Sequence, residues 1–389
     1  MKKVLVLLVF SQFVCASIWF ASNAVMADIV QSFQLTSGSL AYLTSSVQFG
    51  FVGGTFVFAF FSLADRYSPS LVFFLSALVG SCFNLCILFE GNGISELLLF
   101  RFGTGFFLAG IYPVGMKIAA DYYQQSLGKS LGFLVGALVL GTAFPHFLKS
   151  VTFTFDWKYV IIITSGLAIF GGLLVYFFVS VGPYRKPFQK VVGSTLLSGF
   201  KDREFRVVAF GYFGHMWELY TFWAFVPVML TAYNSYYTNA SLNVPFFSFL
   251  VIAVGGIGCV LSGLFSHYFG VKRVAMVSLL FSCLCCLFSP LFLLHPSAVV
   301  FILFMLFWGF FVIADSPLFS TLVAQLAPEA TKGTSLTFVT SLGFAITIVS
   351  IQILNELTAI VDSRFVYMVL GIGPILGLVA MLKKNPLSA

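Results

Sequence analysis

Charged side chains are scarce in this sequence of 389 residues. Asp, Glu, Lys and Arg make up 8% of it, whereas about 25% is usual in a soluble domain. Because apolar residues make up 60%, a water-soluble fold of this length would lack the polar surface that it needs. These proportions predict an integral membrane protein that meets lipid over most of its surface.

Patterns typical of soluble enzymes are also absent. The sequence has no Walker phosphate-binding loop, no Gly-x-Ser-x-Gly turn and no His-Glu-x-x-His metal motif. The seven cysteines all lie in apolar runs, without the spacing of a disulfide framework or a metal site. We therefore expect no enzyme activity, no cofactor and no metal ion. The formal net charge is +7. The basic residues that produce it lie mostly in short loops, which favours a role in membrane topology over nucleic-acid binding.

Twelve apolar runs are long enough to cross hydrocarbon, which takes about 20 residues. Lipid offers no hydrogen bonds to the backbone, and the runs lack period-2 alternation, so they predict helices and an all-α membrane protein. The first run could instead be a cleavable signal peptide, but its length favours an uncleaved span. The predicted helices are 4–27, 39–64, 70–89, 95–118, 130–149, 158–182, 204–232, 244–266, 274–294, 298–326, 333–356 and 364–382.

Basic residues are distributed unequally between the loops on the two sides. Only Lys149, Lys158 and Arg364 fall in the predicted outer loops, whereas fifteen bases fall on the other side. By the positive-inside rule, this predicts that both termini are cytoplasmic. The stretch 183–203 is polar and basic, and it predicts a cytoplasmic linker.

The two halves of the chain repeat each other. Gly105-Phe-Phe and Gly309-Phe-Phe lie 204 positions apart, and Asp156-Trp-Lys-Tyr-Val precedes Asp362-Ser-Arg-Phe-Val by 206. Further matches at offsets of 202–206 follow in order. An even number of helices in each half predicts two parallel six-helix pseudo-repeats. The predicted domains are the N-terminal half at 1–182, the linker at 183–203 and the C-terminal half at 204–389.

Several short motifs resemble those of the major facilitator superfamily of transporters. Asp65-Arg66 follows the second predicted helix, and Gly270-Val-Lys-Arg273 follows the eighth, with His267 where the family has Asp. Arg101-Phe-Gly-Thr-Gly105 resembles the intramembrane arginine motif, and Gly132-Phe-Leu-Val-Gly136 resembles the glycine-rich fifth helix. The resemblance spans almost the whole chain and implies the superfamily fold, with helices one, four, seven and ten around a central cavity.

The same resemblance implies a cytoplasmic gate formed by the loop motifs. Asp65 would accept hydrogen bonds from a helix N-terminus, and Arg66 would pair with an acid on a neighbouring loop. The second copy would contribute His267, Lys272 and Arg273. The alternative is that these side chains only anchor loops among lipid headgroups. The glycines of the fifth helix, Gly132 and Gly136, would allow close approach of neighbouring helices, and either a packing role or a hinge role is open for them.

Six ionisable residues lie well inside predicted spans, where a charge is costly and points to function. Five of them are on the fourth, seventh and tenth helices. The six are Arg101, Lys117, His146, His215, Glu218 and Asp315. Lys117 is expected to reach the cytoplasm or to meet Asp121, and His146 is expected to be a packing residue.

Glu218 is the strongest candidate for binding solute or protons, because it lies near the middle of its helix. His215 precedes it by one turn on the same face and could exchange protons with it. Trp217 and Tyr220 are candidate walls of the cavity. The alternative is that Glu218 is a structural hydrogen-bond hub.

Other candidates complete the predicted site. Arg101 could contact solute or extend outward to Glu96 or Glu90. Asp315 precedes Pro317, which would bend the helix and create a polar notch. The remaining candidate cavity residues are Trp19, Asn23 and Tyr112.

These features predict a monomeric secondary active transporter in the lipid bilayer, working by alternating access. The resemblance is to bacterial permeases without an assigned substrate, which implies the bacterial inner membrane. The mixed charges favour a small polar, charged or zwitterionic solute, and the buried acids favour coupling to protons. The alternatives are a multidrug or siderophore exporter, and a transporter-like sensor that moves nothing.

Overall fold

The computed structural model describes residues 2–36, 38–123, 127–151, 156–185, 198–327 and 332–382. Within these ranges all regular secondary structure is helical, which confirms the predicted all-α class. A helix satisfies its backbone N–H and C=O groups within one segment, as hydrocarbon requires. Most of the predicted linker, from residue 186 to residue 197, lies outside the described residues.

Ten α-helices are described before the linker. They are α1 (Lys2–Ala16), α2 (Ala21–Ala24), α3 (Met26–Ser32), α4 (Ser39–Phe60), α5 (Leu63–Arg66), α6 (Pro69–Cys86), α7 (Ile94–Leu108), α8 (Tyr112–Tyr122), α9 (Leu127–Val151) and α10 (Lys158–Phe178). Three of them, α1 to α3, divide the first predicted span.

Seven more α-helices are described after the linker, where a 3₁₀ turn at Ser198–Lys201 comes first. They are α11 (Arg203–Tyr236), α12 (Val244–Phe269), α13 (Val271–Leu293), α14 (Ala298–Ala314), α15 (Ser316–Leu326), α16 (Lys332–Thr358) and α17 (Ile372–Leu382). A 3₁₀ segment, Val366–Gly371, leads directly into α17.

Nine helical segments in the described part of the chain are long and apolar enough to cross a membrane, counting α7 with α8 and α14 with α15 as continuous. The predicted runs at 4–27, 204–232 and 364–382 are helical but are not among the nine. The first is interrupted, α11 has polar and aromatic side chains throughout its apolar run, and α17 is short. The arrangement of twelve spans in two repeats therefore remains a prediction.

The chain forms two compact units. Unit 1 contains residues 1–191 and 224–256, and unit 2 contains residues 192–223 and 257–389. Helix α11 therefore contributes its first part to unit 2 and its last part to unit 1. The predicted domain boundaries at 182 and 204 remain a prediction.

Pro317 separates α14 from α15 within unit 2. A proline ring excludes the backbone hydrogen bond to the residue four positions earlier, which is Ile313. Two polar side chains of α12 donate hydrogen bonds to the backbone carbonyls at this break. Cys259 Sγ lies 3.4 Å from the Ile313 oxygen, and Ser262 Oγ lies 2.5 Å from the Ala314 oxygen. The break leaves Asp315 between the two helices.

Helices α4 and α7 pack backbone against backbone in unit 1. A Cβ atom at Gly105 would meet the Val47 carbonyl, and one at Gly50 would meet the Phe102 carbonyl. Close packing of small residues is a common way for membrane helices to associate. This contact positions Arg101 one helical turn before Gly105.

Gly132 and Gly136 have open space where a side chain would lie. A Cβ atom at either position would meet nothing within 4 Å, although a Cβ atom at Gly256 of α12 would lie 3.8 Å from the Gly136 carbonyl. The tightest contact of a glycine on α9 lies further along, at Gly141, where a Cβ atom would meet the Phe13 carbonyl of α1. The choice between packing and hinge roles for Gly132 and Gly136 stays a prediction.

Candidate functional site

Glu218 on α11 is buried in unit 2, with 1% of its surface exposed. Its Oε1 atom accepts hydrogen bonds from Trp308 Nε1 at 2.6 Å and from Cys286 Sγ at 3.2 Å. Its Oε2 atom accepts a short hydrogen bond from the Ser282 hydroxyl. Because Ser282 and Cys286 are four residues apart, they share one face of α13. Both carboxyl oxygens are thus bound by uncharged donors.

His215 and Asp315 form a second buried polar group in unit 2. The Nδ1 atom of His215 lies 2.8 Å from Asp315 Oδ1, and each side chain is 1% exposed. At this distance a proton lies between the two atoms, on the imidazole or on the carboxyl. The His215 Nε2 and Asp315 Oδ2 atoms have no other hydrogen-bond partner among the described residues.

The predicted exchange between His215 and Glu218 is not the contact that forms. Residues three apart on a helix share a broad face, but their side chains diverge by about 60°. His215 consequently meets Asp315 at the break after α14, while Glu218 meets α13 and Trp308 of α14. The same break provides the polar notch predicted at Pro317.

Arg101 on α7 is buried in unit 1, and 1% of it is exposed. Its Nη1 atom donates to the Ile18 carbonyl at 3.2 Å, and its Nη2 atom donates to the Trp19 carbonyl. These carbonyls belong to the interruption between α1 and α2. The alternative extension towards Glu96 or Glu90 is wrong, since both terminal nitrogens of Arg101 bind these carbonyls. Glu96 accepts a hydrogen bond from the backbone N–H of Gly93, the residue before its own helix.

Two predicted cavity residues lie near this interruption and are bound within unit 1. Trp19 Nε1 donates to Gln48 Oε1 at 3.1 Å, and Asn23 Nδ2 donates to Thr44 Oγ1 at 2.8 Å. Trp19 and Asn23 are both buried. Tyr112 is half-buried at the first residue of α8.

The two aromatic candidates on α11 differ in environment. Trp217 is half-buried, and its Nε1 atom donates to the Val369 carbonyl at 3.2 Å. Tyr220 is buried between Trp223 and Phe344, with ring centroids 5.2 and 5.0 Å away.

Asp65 has a different partner from the predicted helix N-terminus. Its carboxylate lies 2.7 Å from Lys117 Nζ on α8, and Asp121 lies 4.0 Å from the same nitrogen. Arg185 donates to the backbone carbonyls of Asp65 and Tyr67 at 2.7 and 2.8 Å. Lys117 therefore meets Asp121 as expected, but its shorter ion pair connects α8 to the loop motif.

The second copy of the loop motif lies at the surface of unit 2. Lys272 Nζ lies 3.3 Å from Glu204 Oε2, and both side chains are partly exposed. His267 and Arg273 are exposed, as is Arg66 of the first copy in unit 1. No structural contact of these residues tests their predicted role in a gate.

Sequence reasoning missed the partners of Glu218. Ser282 and Cys286 lie four residues apart in an apolar helix, and this spacing could have indicated a polar face. A cysteine in an apolar helix is, however, equally typical of a packing residue. Trp308 gave no signal beyond its indole N–H. Within the described residues, no cluster of three or more His, Cys, Asp or Glu side chains could hold a metal ion.

Two curated relatives match parts of the chain. The niacin transporter NiaP of Acinetobacter baylyi is 30% identical over 140 residues, which are 33% of this chain and 31% of the relative. The fluoride-specific ion channel FluC of Pectobacterium atrosepticum is 37% identical over 82 residues, which are 21% of this chain and 61% of the relative. The chain therefore matches about a third of the niacin transporter and three fifths of the channel.

Two longer matches concern the fold and the family of the chain. The chain is similar to a crystal structure of a mutant of the nucleoside transporter NupG, with a TM-score of 0.76 and 16% identity, over 98% of this chain and 100% of that one. This likeness concerns the fold. The family model of the Major Facilitator Superfamily matches residues 8–351, a range that includes α2 to α15 and favours a transporter over an enzyme. The chain belongs to the Major Facilitator Superfamily.

Proposed function

We propose that this protein is a secondary active transporter that moves a small polar, charged or zwitterionic solute by alternating access, coupled to protons. Family membership supports solute transport. The observation that carries the proton-coupled form is the environment of Glu218, a buried carboxyl group whose two oxygens face three uncharged donors.

A proton carrier must be stable both with and without its proton. As a carboxylate, Glu218 can accept from all three of its partners. Once protonated, one of its oxygens must donate instead. The indole of Trp308 is only a donor, whereas the Ser282 hydroxyl can donate or accept. Oε2 can therefore take up a proton while Ser282 reverses its hydrogen bond and Oε1 keeps its own partners.

The pair of His215 and Asp315 supports a second site of proton exchange. One proton lies between these two side chains, and each retains a polar atom without another partner among the described residues. A solute or water that reaches His215 Nε2 could shift the proton between them. We assign this pair a secondary role beside Glu218.

The charge of Arg101 supports a solute with an anionic or strongly polar group. Within the described ranges, its contacts are backbone carbonyls, and its Nε atom has no hydrogen-bond partner. A buried cation without an opposite charge is costly, and a bound anion would offset that cost. The relatives named for niacin and for nucleosides are consistent with a small polar solute.

Transport in proteoliposomes tests this proposal. A thermal-shift screen of a metabolite library, with niacin and nucleosides included, would select the radiolabelled solutes. We expect an imposed pH gradient to drive their accumulation by the wild type, and Glu218→Gln to abolish it. Exposed Glu356→Gln is the matched control and should transport normally.

Three results would contradict the proposal. Gradient-driven accumulation by Glu218→Gln at the wild-type rate would exclude the carrier role. Accumulation of a dye or siderophore by inverted vesicles, with no uptake of metabolites, would favour an exporter. Absence of flux for every solute would favour a sensor that does not transport.

A further inference from the structure

An open groove lies between α13 and α17 on the surface of unit 2, with a volume of about 460 Å³. Lys272 and Arg273 lie at one end of it, in the first turn of α13. The rest of the lining is apolar and consists of Met276, Val277, Leu280, Leu378 and Leu382. Charge at one end and an apolar wall along the rest make the groove amphipathic.

The charged end of the groove can bind an anion. Arg273 is exposed and has no acidic partner among the described residues. Lys272 shares its charge with Glu204 at 3.3 Å, so the two cations face a single carboxylate. Because both lie at the start of α13, the helix dipole adds to the positive potential.

The apolar wall is suited to an acyl chain. Val277, Leu280 and Leu382 are exposed along it, and α13 rises about 10 Å between Arg273 and Leu280. In a membrane such a surface faces hydrocarbon. A small hydrophilic anion would use only the charged end, whereas a lipid would use both parts.

We propose that this groove binds one anionic phospholipid, with its phosphate on Lys272 and Arg273 and an acyl chain along the apolar wall. The inference does not depend on the transported solute. It gives Lys272 and Arg273 of the second loop motif a role other than the predicted gate. The predicted orientation puts this lipid in the inner leaflet, where anionic headgroups and basic side chains attract each other.

Lipid binding is measured on the full-length protein by native mass spectrometry. The protein would be exchanged from detergent micelles into defined mixtures of phosphatidylglycerol and phosphatidylcholine. We expect one tightly retained phosphatidylglycerol, and Arg273→Gln should weaken its binding about fivefold, as expected for one basic group at a membrane surface. Arg273→Lys should restore binding, and Arg273→Gln leaves the pair of Lys272 and Glu204 intact.

Two further variants distinguish this site from general effects. Lys158→Gln removes an exposed cation in unit 1 and should leave phosphatidylglycerol retention unchanged. Val277→Asp introduces a negative charge in the wall and should weaken retention while leaving both cations in place. Circular dichroism and thermal unfolding would verify that each variant is folded.

The competing occupants give different results. Equal retention of phosphatidylcholine would show a general annular lipid and overturn the proposal. Displacement of phosphatidylglycerol by millimolar inorganic phosphate would show a simple anion site and also overturn it. Equal weakening by Arg273→Gln and Lys158→Gln, or normal retention by folded Val277→Asp, would exclude the groove.

Discussion

Glu218 and Arg101, two of the buried charged residues in the described part of the chain, are held by uncharged groups. Glu218 accepts from a hydroxyl, a thiol and an indole, and Arg101 donates to two backbone carbonyls. Such partners lower the cost of burial without cancelling the charge. Each group therefore stays available to a proton or a charged solute, whereas a permanent ion pair would leave it neutralised.

Ser282→Ala tests the exchange of donor and acceptor at Glu218. The alanine leaves Oε2 without its partner in either protonation state, so we expect pH-driven accumulation in proteoliposomes to fall sharply. Ser289→Ala is the matched control, because the Ser289 hydroxyl bonds only the carbonyl of Cys286 in its own helix. Equal accumulation by the two variants would exclude Ser282 from proton exchange.

The pair of His215 and Asp315 is tested by a double-mutant cycle. His215→Ala leaves a buried acid without its partner and should lower the unfolding free energy by about 3–5 kcal/mol. Asp315→Asn keeps a hydrogen bond to the imidazole and should cost less. The double variant should recover part of the loss, because position 315 no longer carries a carboxylate that lacks its partner.

Thermal unfolding in detergent measures this cycle through shifts in Tm. Additive effects of the two substitutions would show that the 2.8 Å contact contributes no coupling.

The positions of the helices could be predicted from the composition of the chain, but the contacts between helices could not. Apolar runs of about 20 residues must be helical in lipid, so their locations could be predicted. Pro317 likewise predicted the notch at Asp315. The break after α1 carries no proline or glycine between Ser17 and Phe20, and its carbonyls are bound by Arg101, which is remote in sequence.

The partners of Glu218 show the same limit. Ser282 and Trp308 are 64 and 90 residues away. Which side chains meet depends on how far each helix is rotated about its axis, and nearly uniform apolar helices carry little sign of that rotation. The partner of His215, Asp315, likewise lies on another helix segment, whereas the sequence suggested only its neighbour Glu218 within one helix.

The contact between α4 and α7 predicts opposite results for two glycine substitutions. Gly105→Ala places a methyl group against the Val47 carbonyl, and since backbone cannot move aside easily, it should cost about 1–3 kcal/mol. Gly132→Ala meets open space on α9 and should have no comparable cost. Thermal unfolding compares the two, and equal Tm values would contradict the close packing.

At the scale of the whole molecule, the orientation in the membrane is the main untested prediction. It rests on the excess of lysine and arginine in alternate loops, which sequence shows directly. The distribution of residues between the two compact units, with α11 shared, could not be read from the sequence, because it depends on tertiary packing.

Cysteine labelling of intact cells tests this orientation. In a Cys82→Ser background, which removes the exposed native thiol, Glu90→Cys and Tyr268→Cys present exposed thiols. A membrane-impermeant maleimide added outside should label position 90 and not position 268. Lysed cells provide the control in which both react, and the reverse pattern in intact cells would overturn the topology.

The bonds from Arg101 to the break after α1 also constrain the order in which the protein is assembled. Arg101 follows Ile18 by 83 residues, so the ribosome completes the first span long before its donor exists. These two bonds can therefore form only after α7 has been synthesised, so the carbonyls of Ile18 and Trp19 need another partner until then.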